Sequence, residues 1–322
     1  MKMNKNGFIK YLEHKDFAAK TIKTYVKYTE QFFAKAQKED IQVTKPDVLK
    51  FLEYLKNNRK VTNAYRSHYL VSLNHYFSFL YEDGNVIAGL TRKDNPCLFL
   101  KIRGTKRKML YKIYTSEELD QLFDNYYGFF VRGYDDSRIP NPHRQYTALS
   151  NARNALILSV LIYQGAKTGD IEKIETGDID LIKATLKMRG GKQGNDRILP
   201  LKATQIGLFI NYLQNIRPQI SEYLTKENNK LFLSLPNVSH REKDKDGLRN
   251  TFTRIAAQLK IIDKQFINVL QIRASVITFW IKTQGLRKAQ YLAGHRHISG
   301  TEKYLPNNLD DLKEDINKLH PF

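Results

Sequence analysis

Apolar residues recur at helical spacing through the first eighty positions. Ile22, Tyr25, Val26, Phe32 and Phe33 share one face, with Thr29 in its middle, while Lys20, Lys23, Lys27 and Lys35 fall on the opposite side. That pattern predicts an amphipathic helix. Thr44-Lys45-Pro46-Asp47 opens a second helix, with Pro46 in the first turn, where its missing N–H is no loss. Val48, Phe51, Leu52 and Leu55 form its inward face. A third is predicted from Asn63 to Tyr81, with Tyr65, Tyr69, Leu73, Tyr76, Phe77 and Leu80 inward, stopping before Gly84. The many aromatic side chains read first as core and second as platforms for nucleobases.

Asp94-Asn95-Pro96 interrupts the periodicity. The basic segment Lys101-Ile102-Arg103-Gly104-Thr105-Lys106-Arg107-Lys108 has none, and reads as a linker, either a solvated tether or a strap across a DNA backbone. The expected organisation is a helical domain over 1–100, a linker over 101–112 and a second domain over 113–322. The second domain begins with Thr115-Ser116-Glu117-Glu118, a capping box leading into Leu119, Leu122 and Phe123. Residues 127–149 read as a long loop. Ala152–Tyr163 reads as a buried helix ending at Gly165, and a helix restarts over 166–171.

Leu186-Lys187-Met188 and Arg197-Ile198-Leu199-Pro200-Leu201 are β-type runs around the glycine-rich Gly190–Asn195, which predicts a hairpin. A phosphate-binding P-loop is excluded, because Gln193 follows Lys192 where Ser or Thr is needed and a strand follows where a helix is needed. Helices are expected over 203–215, 246–259, 263–283 and 286–293. A last amphipathic helix over 308–319 carries Leu309, Leu312, Ile316 and Leu319 on one face and suits docking onto its own domain or a neighbour. The fold class expected is mainly α with a small β-sheet (α+β).

Charge changes the picture most. The 322 residues carry a formal net charge of +20, and residues 1–112 hold 23 Lys/Arg against 10 Asp/Glu. Spread over helices, this favours a folded polyanion binder, with nucleic acid the expected partner. No apolar run is long enough to cross a membrane, and no secretory leader is legible, so no membrane partner is expected. The single cysteine, Cys97, excludes an internal disulfide and fits a cytoplasmic setting.

The candidate chemistry lies near the C-terminus, in Gly294-His295-Arg296-His297-Ile298-Ser299-Gly300-Thr301-Glu302-Lys303-Tyr304. A tyrosine that attacks phosphate needs fixed cations around the developing charge and a proton donor for the leaving oxygen. Lys167, Lys192, Arg273, His295 and Tyr304 supply such a set in chain order.

On those residues the chain resembles the tyrosine recombinase, or phage integrase, family. Gly165-Ala166-Lys167-Thr168-Gly169-Asp170 is similar to the family's Gly-x-Arg-x-x-Glu box. Gly191-Lys192-Gln193-Gly194 resembles its lysine-bearing hairpin, Leu270-Gln271-Ile272-Arg273 its His-x-x-Arg box, and Leu292-Ala293-Gly294-His295 with Tyr304 its Leu-Gly-His box and nucleophile. The N-terminal helices resemble the domain that clamps DNA opposite the catalytic domain. Lys167 stands for the first-box arginine and keeps charge without the two-pronged fork. Leu270 stands for the second-box histidine and donates nothing; Gln271, Arg189 and His297 are the nearby polar residues that can compensate.

The resemblance implies a site-specific DNA recombinase that cleaves and rejoins duplex DNA through a 3′-phosphotyrosine, for integration or excision of a mobile element or phage. It implies Tyr304 as nucleophile, Arg273, His295 and Lys167 on the phosphate, Lys192 as general acid and Asp170 in support. DNA contacts are expected from Lys20, Lys23, Lys101, Arg103, Lys106, Arg107 and Lys108. It further implies a homo-tetramer on two DNA sites, accessory DNA-bending proteins as partners, association with a bacterial-type nucleoid, and no metal or nucleotide cofactor. Two alternatives stay open: a DNA-binding protein on the same fold with little or no strand exchange, and a type IB topoisomerase-like relaxase.

Overall fold

In a computed structural model, the chain divides into two compact units, Met1–Lys108 and Met109–Phe322. The structure describes residues 3–82, 92–104, 112–135, 137, 143–191, 194–224, 228–235 and 248–305. Lys106, Arg107, Lys108, Lys192 and the helix expected over 308–319 lie outside the described residues.

The first unit is built on α1 (Lys5–His14), α2 (Ala19–Ala36), α3 (Lys45–Asn57) and α4 (Asn63–Glu82). α1 has no counterpart in the sequence reading; its apolar face is only Phe8, Tyr11 and Leu12, too short a stripe to stand out. α3 starts as expected, Asp47 Oδ2 accepting from the Thr44 amide at 2.9 Å and from its hydroxyl at 2.7 Å, and Val48, Phe51, Leu52 and Leu55 are buried. The aromatic residues are core. Phe8 meets Tyr76 edge-on with centroids 5.1 Å apart, and Phe32 meets Phe51 edge-on at 5.2 Å. Tyr65 corrects the predicted inward face of α4: it is 47% exposed, because it lies in the first turn and touches Tyr28 and Tyr69 only from the rim. Tyr28, absent from the predicted face of α2, is buried by stacking on Tyr69 at 4.2 Å. Thr29 fits the apolar stripe because its hydroxyl donates to the Tyr25 carbonyl at 2.9 Å and meets Ser72 Oγ at 3.0 Å. Lys20, Lys23, Lys27, Lys35, Lys101 and Arg103 are exposed. Cys97 is buried in this core, and burial pushes its thiol pKa up to about 12.

In the second unit, α5 (Ser116–Tyr127) begins at the capping box of Thr115 and Glu118. The loop expected over 127–149 is a misreading at both ends. A π-helical turn, Gly128–Arg132, continues α5, and α6 spans His143–Tyr163. The polar residues Thr147, Ser150 and Asn151 disguise the start of α6, yet all are buried. A one-turn α7 (Thr168–Ile171) follows Gly165. β1 (Ile179–Asp180), β2 (Thr185–Met188) and β3 (Arg197–Pro200) form an antiparallel sheet in that order, with Met188 opposite Arg197. Then come α8 (Ala203–Asn211), a π turn, α9 (Arg217–Ser221), α10 (Arg249–Ile262), α11 (Val269–Ala293) and α12 (Ser299–Glu302). α11 covers two predicted helices; Gly285, at φ 79°, breaks it where the gap between them was expected.

A buried hydrogen-bond chain closes the first unit. The Asn4 amide donates to Tyr76 Oη at 3.0 Å, and Tyr76 Oη donates to Asp40 Oδ2 at 2.9 Å. Tyr76→Phe removes a donor from a buried carboxylate, so the expected loss is about 1–3 kcal/mol of stability, read as a lowered urea midpoint at unchanged slope.

Candidate active site

Arg273 is the centre of the site. The inward face of α11 carries it among Ile272, Val276 and Ile277, and it is 2% exposed. Its Nη1 donates to the Gly165 carbonyl. Its Nη2 donates to the Ala293 carbonyl at 2.8 Å and lies 3.1 Å from His295 Nε2. The Tyr304 phenol is close enough to act on its charge. Among the described residues, Arg273 Nε has no partner and no carboxylate is hydrogen-bonded to this guanidinium. Burial pushes its pKa down, against the opposing pull of Tyr304 and Asp170.

Two glycines make this arrangement possible. Gly165 ends the α6 segment at φ 53°, and a Cβ there would meet Trp280 at 2.9 Å and Val276 at 3.0 Å. Its carbonyl therefore reaches Arg273 from a backbone shape that other residues adopt only at a cost. Gly294 caps α11 at φ 65°, and a Cβ there would collide with the Arg197 guanidinium. The cap turns the chain so that His295 follows directly beside Ala293.

His295 is 8% exposed, and its ring lies nearly parallel to that of Tyr304, interplanar angle 10° and centroids 6.0 Å apart. Its Nδ1 is 2.9 Å from Thr301 Oγ1. Burial, then the charges of Arg273, Lys167, Arg197 and Lys303, push its pKa down to about 4, so the ring is neutral at physiological pH. Tyr304 is half-buried, and its amide donates to the Thr301 carbonyl at 2.9 Å.

Lys167 precedes α7 and is half-buried; burial, then Arg273, push its ammonium pKa down, while Asp170 opposes the shift. Asp170 does not bond Arg273. Its Oδ2 accepts from Arg197 Nη2 at 2.9 Å, and its carboxylate also accepts the Lys167 amide. Arg197, 3% exposed, is the site residue the sequence reading missed. Its signal was the phase of β3, in which Arg197 and Leu199 point inward and Ile198 outward. The glycine-rich turn is fastened here too. Asn195 N–H donates to the Gly294 carbonyl at 3.2 Å, and Gly194 bridges to His295. Gly191 and Gly194 are the described neighbours of Lys192.

Leu270 is 62% exposed at the start of α11. Two suggested compensators are committed elsewhere. Gln271 is buried, accepts the Ile267 amide at 2.8 Å and donates to the Lys112 carbonyl at 3.0 Å. Arg189 pairs with Glu175 and Asp178, both at 2.7 Å. His297 is exposed.

Residues 6–84 match the model of the phage integrase N-terminal SAM-like domain, and residues 142–310 match that of the phage integrase family. The chain is 27% identical over 316 residues to tyrosine recombinase XerA of Pyrococcus horikoshii, covering 97% of this chain and 91% of the relative. It is 25% identical to tyrosine recombinase XerC of Anoxybacillus flavithermus, covering 98% and 97%. The XerH site-specific recombinase bound to its difH substrate matches at TM-score 0.63 and 17% identity, over 91% of this chain and 78% of that one. The Tn1549 transposon integrase with transposon right end DNA matches at TM-score 0.60 and 12% identity, over 99% of both. The matched family model spans more than half of the sequence, and the chain belongs to the phage integrase family.

The neutral histidine gives a pH signature. Its folded pKa, about 4, lies below the ordinary histidine value of 6.5. The unfolded chain therefore takes up that proton first as pH falls. The contribution to stability is fully present above pH 6.5, declines between 6.5 and 4, and is lost below. The stability advantage of wild type over His295→Gln should shrink by roughly 3 kcal/mol from pH 7 to pH 4 in urea unfolding. A constant difference across that range would contradict the neutral, buried ring.

Proposed function

From that family membership, we propose that this chain is a site-specific DNA recombinase of the integrase type, acting through a 3′-phosphotyrosine. One observation carries the reading: a buried Arg273, oriented by two backbone carbonyls and lacking a carboxylate partner among the described residues, lies against both His295 and Tyr304. Keeping a guanidinium this far from water without an acid is costly, and a phosphate is the counter-ion that would complete it.

In the proposed reaction the Tyr304 oxygen attacks phosphorus, the P–O5′ bond breaks and a P–O bond to the phenol forms. The phenol gives up its proton, and the departing O5′ takes one. The phosphodiester energy is retained in the protein–DNA bond, so a 5′-hydroxyl from another strand can reverse the step without a nucleotide. Arg273 and Lys167 neutralise the non-bridging oxygens, a task Lys167 performs as a point charge without the bidentate geometry of arginine. His295 has a phosphate-facing role through Nε2, and an incoming phosphate would raise its pKa by opposing the surrounding cations. Lys192 is assigned the leaving-group proton. Asp170 is a positioning residue that acts on Arg197 and Lys167.

Lys20 and Lys23 of α2, with Lys101 and Arg103, are assigned to the DNA backbone, as are Lys106, Arg107 and Lys108. Assembly as a homo-tetramer on two sites is proposed by analogy with the similar fold of a lambda integrase tetramer bound to a Holliday junction, TM-score 0.55. Integration or excision of a mobile element or phage is the role proposed, with DNA-bending proteins as accessories. The two-domain assignment, 1–100 and 113–322 around a basic linker at 101–112, belongs to the same proposal, as does a cytoplasmic, nucleoid-associated setting.

A nicked suicide duplex carrying the cognate site tests this. Wild type should form a denaturation-resistant protein–DNA adduct, and Tyr304→Phe should abolish it while leaving DNA affinity intact. No adduct on verified cognate DNA would leave a DNA-binding protein without strand exchange, and relaxation of arbitrary supercoiled DNA would point to a topoisomerase. Lys167→Arg should speed adduct formation, by up to about a hundredfold if the missing fork is worth a full transition-state donor. Lys167→Ala at the wild-type rate would remove Lys167 from the site.

A further inference from the structure

Thr301 has no part in the chemistry above, yet it is the residue on which His295 and Tyr304 both depend. It is polar, 0% exposed, and lies in the single turn of α12 between them. Its Oγ1 is 2.9 Å from His295 Nδ1. Its carbonyl accepts the Tyr304 amide at 2.9 Å, and its own amide donates to the Ile298 carbonyl at 2.7 Å. One buried residue thus touches the histidine ring through its side chain and the tyrosine through its backbone.

The proton on His295 follows from the other side of the ring. Arg273 Nη2 is 3.1 Å from Nε2, and a guanidinium can only donate. Nε2 must therefore accept. In a neutral ring the proton then sits on Nδ1, where only a hydrogen-bond acceptor satisfies it, and Thr301 Oγ1 is that acceptor. Without the hydroxyl, Nδ1–H would be buried and unpaired. The alternative tautomer would set an Nε2–H against the N–H of Arg273.

We infer that Thr301 is a positioning residue: it fixes the Nδ1–H tautomer of His295, leaves Nε2 facing Arg273, and ties the Tyr304 backbone to the same anchor. The tautomer half of this stands on geometry alone; the half concerning cleavage rests on the proposed recombinase reading.

Two variants separate the hydroxyl from the space it fills. Thr301→Val keeps the shape and removes the acceptor; Thr301→Ser keeps the acceptor and removes a methyl. Nitrogen NMR of the histidine-labelled protein reads the tautomer directly. His295 should carry its proton on Nδ1 in wild type and in Thr301→Ser, and Thr301→Val should move population to Nε2–H. In single-turnover cleavage of the suicide duplex at saturating protein, Thr301→Val should be slowed about 10- to 100-fold and Thr301→Ser should recover most of that loss, with DNA affinity unchanged in both. A wild-type His295 protonated on Nε2 would overturn the inference, even if Thr301→Val proves unable to fold. So would Thr301→Val cleaving at the wild-type rate, or Thr301→Ser being as slow as Thr301→Val. If no protein forms an adduct, the recombinase reading fails while the NMR result still decides the tautomer.

Discussion

The burial of Arg273 is the constraint on which the second unit's site depends. A guanidinium sunk among Ile272, Val276 and Ile277 must have its N–H groups met, and the fold meets them mainly with backbone. That requirement explains local features with no other evident cause. Gly165 holds a left-handed conformation against Trp280 so that its carbonyl faces the arginine. α11 ends at Ala293 so that a terminal carbonyl is free to accept. Gly294 then turns the chain, which delivers His295 to the same guanidinium.

The electrostatics follow from this centre. Among the described residues, Arg273, Arg197 and Lys167 crowd around one carboxylate, Asp170, which is bonded to Arg197. Burial first, and then the excess positive charge, keep His295 neutral and depress Lys167. A site with more cations than anions is poised for a ligand that brings negative charge, and in the proposed reaction the scissile phosphate does so. Lys167 is half-buried and can withdraw its point charge toward water, which the buried Arg273 and Arg197 cannot. Leu270 is different: it is exposed, and Gln271 beside it is spent on the backbone of Ile267 and Lys112.

Several features were legible along the chain because they rest on local rules. The capping box at Thr115, the helix opening at Thr44–Asp47, the inward faces of α3 and most of α4, the hairpin around the glycine-rich turn and the break near Gly285 all follow from spacing and turn chemistry. The approach of Lys167, Arg273, His295 and Tyr304 was expected from their motifs, and they do converge. Where the reading failed, tertiary contact overrode local pattern. Buried Thr147, Ser150 and Asn151 made the first turns of α6 look like loop, and rim packing left Tyr65 exposed.

By itself, the sequence determined the mainly helical class, the polycationic character and the residue types from which the proposed site is drawn, since period, charge and residue type are properties of the chain. The tertiary structure alone decided how those residues are paired. Asp170 binds Arg197 and not Arg273, Gln271 serves the backbone, and Thr301 holds His295. Asp170 and Arg197 are 27 positions apart and Gly165 and Arg273 are 108 apart, so no local rule relates them. The pairings exist because packing α11 and β3 against the α6–α7 turn buries polar groups that must then find one another.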